Sequence, residues 1–124
     1  MKKLQKNLKI ESKYLIKYFT HDFFQNIHKC SNIYKNIHKW KVNILIFETI
    51  IQIIMIENDK KRNIYIKRLK SVFTNNGIEE CTYVSIQLCL VELLKQGLGD
   101  TYTPEIIESW IICCEDICQI IKLI

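Results

Sequence analysis

The sequence predicts an all-α domain, and three observations predict it. Glycine and proline together supply only four of the 124 residues, so the breakers that a many-turned β fold needs are nearly absent. Apolar residues recur at three- and four-residue spacing through most of the chain, which is the period of a buried helix face. One helix start and two helix stops are spelled out in capping residues. A chain of this length has room for one hydrophobic core, so residues 1–124 are read as one domain.

Element by element, a short first helix is expected around Lys2 to Ile10. A second is expected from Ser12 to Asn26, with Ser12 as its cap and Leu15, Phe19 and Phe23 on one stripe. Cys30 to Tyr34 reads as a tight connecting turn. A long helix, mostly buried, follows from Ile37 to Glu57. Asn58-Asp59-Lys60-Lys61 breaks it, and the next helix runs from Arg62 to Thr74 with Tyr65, Ile66, Leu69, Val72 and Phe73 on its apolar face. Asn75-Asn76-Gly77 stops that helix, because Gly and Asn accept the left-handed conformation that closes a helix. Glu79 to Gln96 buries Tyr83, Ile86, Leu90, Leu93 and Leu94, and Gly97 ends it. The last helix has the clearest start. Thr103 caps it, Pro104 fits the first position, where no amide hydrogen is needed, and Glu105 complements the positive end of the dipole.

Charge is unevenly spread. Up to Lys70 there are sixteen Lys/Arg and five Asp/Glu, a net of +11, whereas the remainder carries two basic and eight acidic residues, a net of −6. A nucleic-acid ligand is not expected, since the basic residues are scattered and no Arg-rich recognition helix occurs. The apolar run Val42 to Ile56 spans fifteen residues, short of the roughly 20 that a bilayer crossing needs. It reads as a core helix whose polar strip is Glu48 and Gln52, so membrane contact is not favoured. The basic start at Met1-Lys2-Lys3 is followed by no apolar signal core. The expected location is therefore intracellular, most simply the cytoplasm, and the six cysteines are expected as free thiols. Cys114 and Cys118 share a helix face, but no histidine stands near them to complete a zinc set. His21-Asp22 has no nucleophile in sequence reach. Glu79-Glu80 and Glu115-Asp116 read as solvated surface pairs, and there is no phosphate loop or metal-ligand spacing. No enzymatic activity is expected.

A family resemblance rests on the C-terminal third. Leu93-Leu94-Lys95-Gln96-Gly97-Leu98-Gly99-Asp100, then Tyr102-Thr103-Pro104-Glu105, then Trp110 resembles the last two helices of bacterial-type and neuroglobin-like globins. There a Gly-Leu-Gly-Asp-like turn is followed by an aromatic-Thr-Pro-Glu start and a Trp one and a half turns on. The match extends back to Tyr83 and to Gly77-Ile78, where the family has a Gly-Val turn. Upstream it thins to Phe19-Thr20-His21-Asp22-Phe23-Phe24 and Ile33-Tyr34. The resemblance implies a globin-like helical fold with a short first helix.

It also implies a haem pocket, and the ligating and polar positions of that pocket are changed. The proximal histidine of the family stands four residues before the Gly-Val turn, which places Phe73 there, and phenylalanine has no lone pair for iron. The distal His or Gln falls near Trp40 or Lys41. The distal tyrosine of bacterial-type globins corresponds to Thr20, and the corner phenylalanine to Tyr34. No histidine follows His38. Phe73 therefore reads as a core residue over a collapsed cavity, or as one wall of a cavity for another apolar ligand, or as a sign of unusual haem ligation by His38 or Tyr65. No cofactor is expected, with haem as the alternative.

By likeness to the haem-free globin domains of bacterial stress-sensing complexes, the expected role is a non-enzymatic interaction or sensor module. The alternatives are a gas-binding globin with unusual ligation, or an accessory subunit of a membrane-associated assembly. The last helix is apolar around more than half its circumference. Ile106, Trp110, Cys114, Ile117 and Ile121 are expected inward, leaving Ile112, Cys113 and Ile120 outward as candidate contacts for a homodimer or another protein partner.

Overall fold

The computed structural model describes the backbone of residues 2–29 and 37–124. Among them there are six α-helices and no strand: α1 (Lys2–Ile16), α2 (His21–His28), α3 (Ile37–Met55), α4 (Asp59–Asn75), α5 (Tyr83–Leu98) and α6 (Pro104–Leu123). Short 3-10 turns at Glu80–Thr82 and Gly99–Thr101 lead into α5 and α6. The all-α expectation holds.

The first helix differs from expectation. It is not short: α1 runs unbroken through Glu11-Ser12-Lys13 to Ile16. Ser12 is no cap. It is buried within the helix, and its hydroxyl donates to the Leu8 carbonyl one turn back. The break comes instead at residues 17–20. Thr20, in extended conformation, caps α2 by accepting from the Phe23 amide at 3.3 Å.

α6 starts as its residues dictate. Thr103 is the N-cap, its hydroxyl accepting from the Ile106 amide at 3.3 Å, and Pro104 opens the helix. Gly77, with φ +69°, closes α4. Gly97 does not end α5, which continues to Leu98, and Gly99 with φ +59° terminates it. Gly97 is instead the point where α2 and α5 meet. The Phe23 ring lies against it so closely that a Cβ there would fall 2.4 Å from a ring carbon. Asn26 Nδ2 donates to the Gly97 carbonyl at 3.2 Å, satisfying an acceptor in the last turn of α5.

The core is one continuous cluster drawing on all six helices. α1 lies along α6 in the most extensive helix contact of the fold, and α2 lies on α5. α3 supplies Ile46, Phe47, Ile50, Ile51, Ile53 and Ile54, all buried. Phe47 bridges Phe23 (ring centroids 6.2 Å apart, stacked) and Trp110 (5.1 Å). No helix among the described residues is long and apolar enough to cross a membrane.

The turn between α3 and α4 is held by Arg62, which is only 4% exposed. Its Nε donates to the Ile53 carbonyl at 3.3 Å, and Nη2 donates to the Ile56 carbonyl. Asp59 Oδ1 stands 3.6 Å from Nη1. The guanidinium thus serves acceptors that the end of α3 leaves open, with a carboxylate balancing its charge. Lys9 on α1 pairs with Asp59 from the other side, at 3.0 Å.

Candidate functional site

Among the described residues, the positions that the globin resemblance assigns to a haem pocket lie at the start of α2, in the first turns of α3 and on α4. Phe73 is 1% exposed on the inner face of α4. Its ring centroid is 4.6 Å from that of Tyr83 at the start of α5. Trp40 is half-buried and Lys41 exposed, both in the first turns of α3. Thr20 is exposed, and its hydroxyl is engaged as the α2 cap. It borders a surface cleft of about 370 Å³ between α2 and the end of α5, whose walls include Tyr18, Phe23, Gly97 and Leu98 but none of Trp40, Lys41 or Phe73. Tyr34 lies outside the described residues, as does the Cys30 to Tyr34 turn. His38 is exposed. Tyr65 is half-buried, with the Arg68 guanidinium 4.6 Å from its ring centroid.

The outward stripe expected on α6 is corrected in two of its three residues. Ile106, Trp110, Cys114, Ile117 and Ile121 are buried as expected, but Cys113 and Ile120 are buried as well, at 0% and 1% exposure. The reason is the length of α1. A helix of 15 residues packs along α6 and brings Ser12 beside Cys113, while α4 and α5 also pack on α6. Cys113 sits beside Ser12 and near Arg62 and Glu11. Burial pushes its thiol up to about 12 and lifts Cys114 well above the usual thiol range. Cys113, Cys114 and Cys118 are all buried. No group of three metal-ligating side chains occurs among the described residues.

Glu115-Asp116 also departs from its reading as a solvated pair. Glu115 is exposed, but Asp116 is only 7% exposed, and its Oδ2 has no hydrogen-bond partner among the described residues. Desolvation, then the neighbouring Glu115 and Glu11 carboxylates, raises its pKa to about 6.

Ile112 keeps its place. Half-buried, it lies on the floor of a cleft of about 470 Å³ along the seam of α1 and α6, with Ile10, Glu11, Tyr14, Glu105, Glu108 and Ser109. Ile10 is 57% exposed there, a large apolar side chain left in water. The Tyr14 phenol is held above its ordinary range, first by its hydrogen bond with Tyr18, with the Glu105 and Glu11 carboxylates adding to the effect. Lys17 caps this end, its Nζ 5.2 Å from both the Tyr14 and Tyr18 ring centroids. The cleft sets apolar surface among the carboxylates of Glu11, Glu105 and Glu108. Sequence periodicity could not find it, because its α1 residues Ile10, Glu11 and Tyr14 are split between a helix read as ending at Ile10 and one read as starting at Ser12.

The chain matches no protein-family model, no curated protein and no solved structure.

Proposed function

We propose that this chain is a haem-free, globin-like domain that works by protein–protein contact at its surface and not by chemistry in its core. The globin likeness is supported by the order of elements: a long α3, a somewhat shorter α4, a glycine stop at Gly77, then α5 and α6 packed on one another. The haem-free reading is supported by Phe73, an apolar ring against Tyr83 where the resemblance puts the iron ligand. The observation that carries the interaction reading is the α1–α6 cleft, where Ile10, Tyr14 and Ile112 leave apolar surface in water. Apolar side chains gathered in one cleft with a polar rim suit a partner surface.

The test is an Ile112→Glu variant. Its helical circular-dichroism signal should equal that of the native chain, while association with a partner, whether a second copy or another protein, should be lost. A native chain that sediments as a monomer at high concentration, with no protein co-purifying, contradicts the reading. The second reading, a haem protein with ligation from His38 or Tyr65, rests on their being exposed and half-buried respectively, and so within reach of a ligand.

A further inference from the structure

The lining of the α1–α6 cleft has a charge that singles out one kind of occupant. The chain as a whole is net +5, yet the charged residues lining this cleft are Glu11, Glu105 and Glu108, all acidic. Glu108, Ile112 and Glu115 fall four and three residues apart, so they lie on one stripe of α6, and Glu115 is exposed. The acidic border therefore continues beyond the cleft itself. On α1 the same spacing puts exposed Lys6 and Lys13 to either side of Ile10, outside the cleft lining, and Lys17 stands at the Tyr14 end, drawn over two tyrosine rings.

We infer that the cleft docks a basic amphipathic helix of a partner protein, its apolar side chains on Ile10, Tyr14 and Ile112 and its Lys or Arg residues against Glu11, Glu105 and Glu108. The inference rests on the interaction reading and names the partner's chemistry. A helix laid on a shallow apolar groove contacts it through residues at three- and four-residue spacing, and charges flanking that stripe reach the groove's rim. A second copy of this chain paired through the same cleft by a two-fold axis would set acidic rim against acidic rim, because such an interface places the same patch on both sides. An anionic lipid surface would meet the same repulsion. Opposite charge on the partner speeds encounter and fixes register, while the apolar floor supplies the hold.

The experiment is fluorescence anisotropy of the full chain with three labelled helical peptides of equal length. One is built on Leu and Lys with an apolar stripe, one carries Glu in place of Lys, and one keeps the Lys content but scrambles the stripe. The basic amphipathic peptide should bind at least tenfold more tightly than either control, and its affinity should fall as salt is raised. The double variant Glu105→Lys/Glu108→Lys, altered at exposed positions and so expected to fold, should lose that binding at least tenfold and gain the acidic peptide. Equal binding of basic and acidic peptides, or no effect of the charge reversal, overturns the assignment. If no peptide binds, yet the native chain associates with a protein and Ile112→Glu abolishes this, the inferred chemistry is wrong and the interaction reading survives. If Ile112→Glu abolishes nothing, both fail.

Discussion

The rings of Phe73 and Tyr83 pack with centroids 4.6 Å apart, tying the inner face of α4 to the first residue of α5 across the turn that Gly77 closes. Phe73 is therefore a structural keystone of the α4–α5 corner. Truncation to Phe73→Ala should destabilise the fold by about 3–5 kcal/mol, from lost burial and the cavity left behind. Urea denaturation checks this. A cost under about 1 kcal/mol would mean that the ring has no tight packing partner.

Gly97 and Phe23 give a test with the opposite geometry. Replacing a helical glycine by alanine ordinarily favours the helix by about 1 kcal/mol. Here the new Cβ would meet three ring carbons of buried Phe23 at 2.4–2.8 Å. Overpacking of this kind costs about 1–3 kcal/mol and sometimes more, so Gly97→Ala should be a net loss. In a Phe23→Leu background the same change should cost less, and the double-mutant cycle reads that coupling directly.

Asp116 makes stability depend on pH. Its folded pKa of about 6 lies above the roughly 3.9 of an unfolded aspartate. Below about pH 4 the carboxyl is protonated in both states and contributes nothing. Between about pH 4 and 6 the unfolded chain releases the proton first, so stability falls as pH rises, and the full loss persists above. Its ceiling is about 3 kcal/mol, from roughly two pKa units at 1.36 kcal/mol each. Asp116→Asn should raise the melting temperature at pH 8 and leave it nearly unchanged at pH 4. Equal effects at both pH values would show that Asp116 does not titrate in this window.

Cys113, Cys114 and Cys118 should resist alkylation in the native chain at pH 8, since burial keeps the first two as thiols and all three are enclosed. Peptide mapping after iodoacetamide, with and without denaturant, reads the labelling of these three. Rapid native labelling of Cys113 would mean that α1 does not stay on α6.

The sequence was most legible where local chemistry decides the structure. Thr103-Pro104 capped α6 and Asn76-Gly77 closed α4 as read, because caps and stops depend on residues within one turn. The α1–α2 boundary is not legible in the sequence, since Ser12 can cap a helix or bond back to its own helix, and only its burial selects the second. The same tertiary choice hid the candidate site. An α6 that is apolar around more than half its circumference does not tell that α1 brings Ser12 beside Cys113 and leaves Ile112 at the seam. Arg62 and Asp116 were equally unreadable as buried groups, because each occupies a position that helix periodicity alone would leave in solvent as readily as in the core.

We propose that the chain holds no haem, since the globin resemblance puts buried Phe73 at the position of the iron ligand. The most direct measurement is the absorbance spectrum of the purified full chain mixed with equimolar haemin and then desalted. No Soret band should remain with the protein. A sharp, stoichiometric Soret band that survives desalting, and is lost in His38→Ala or Tyr65→Phe, would contradict it.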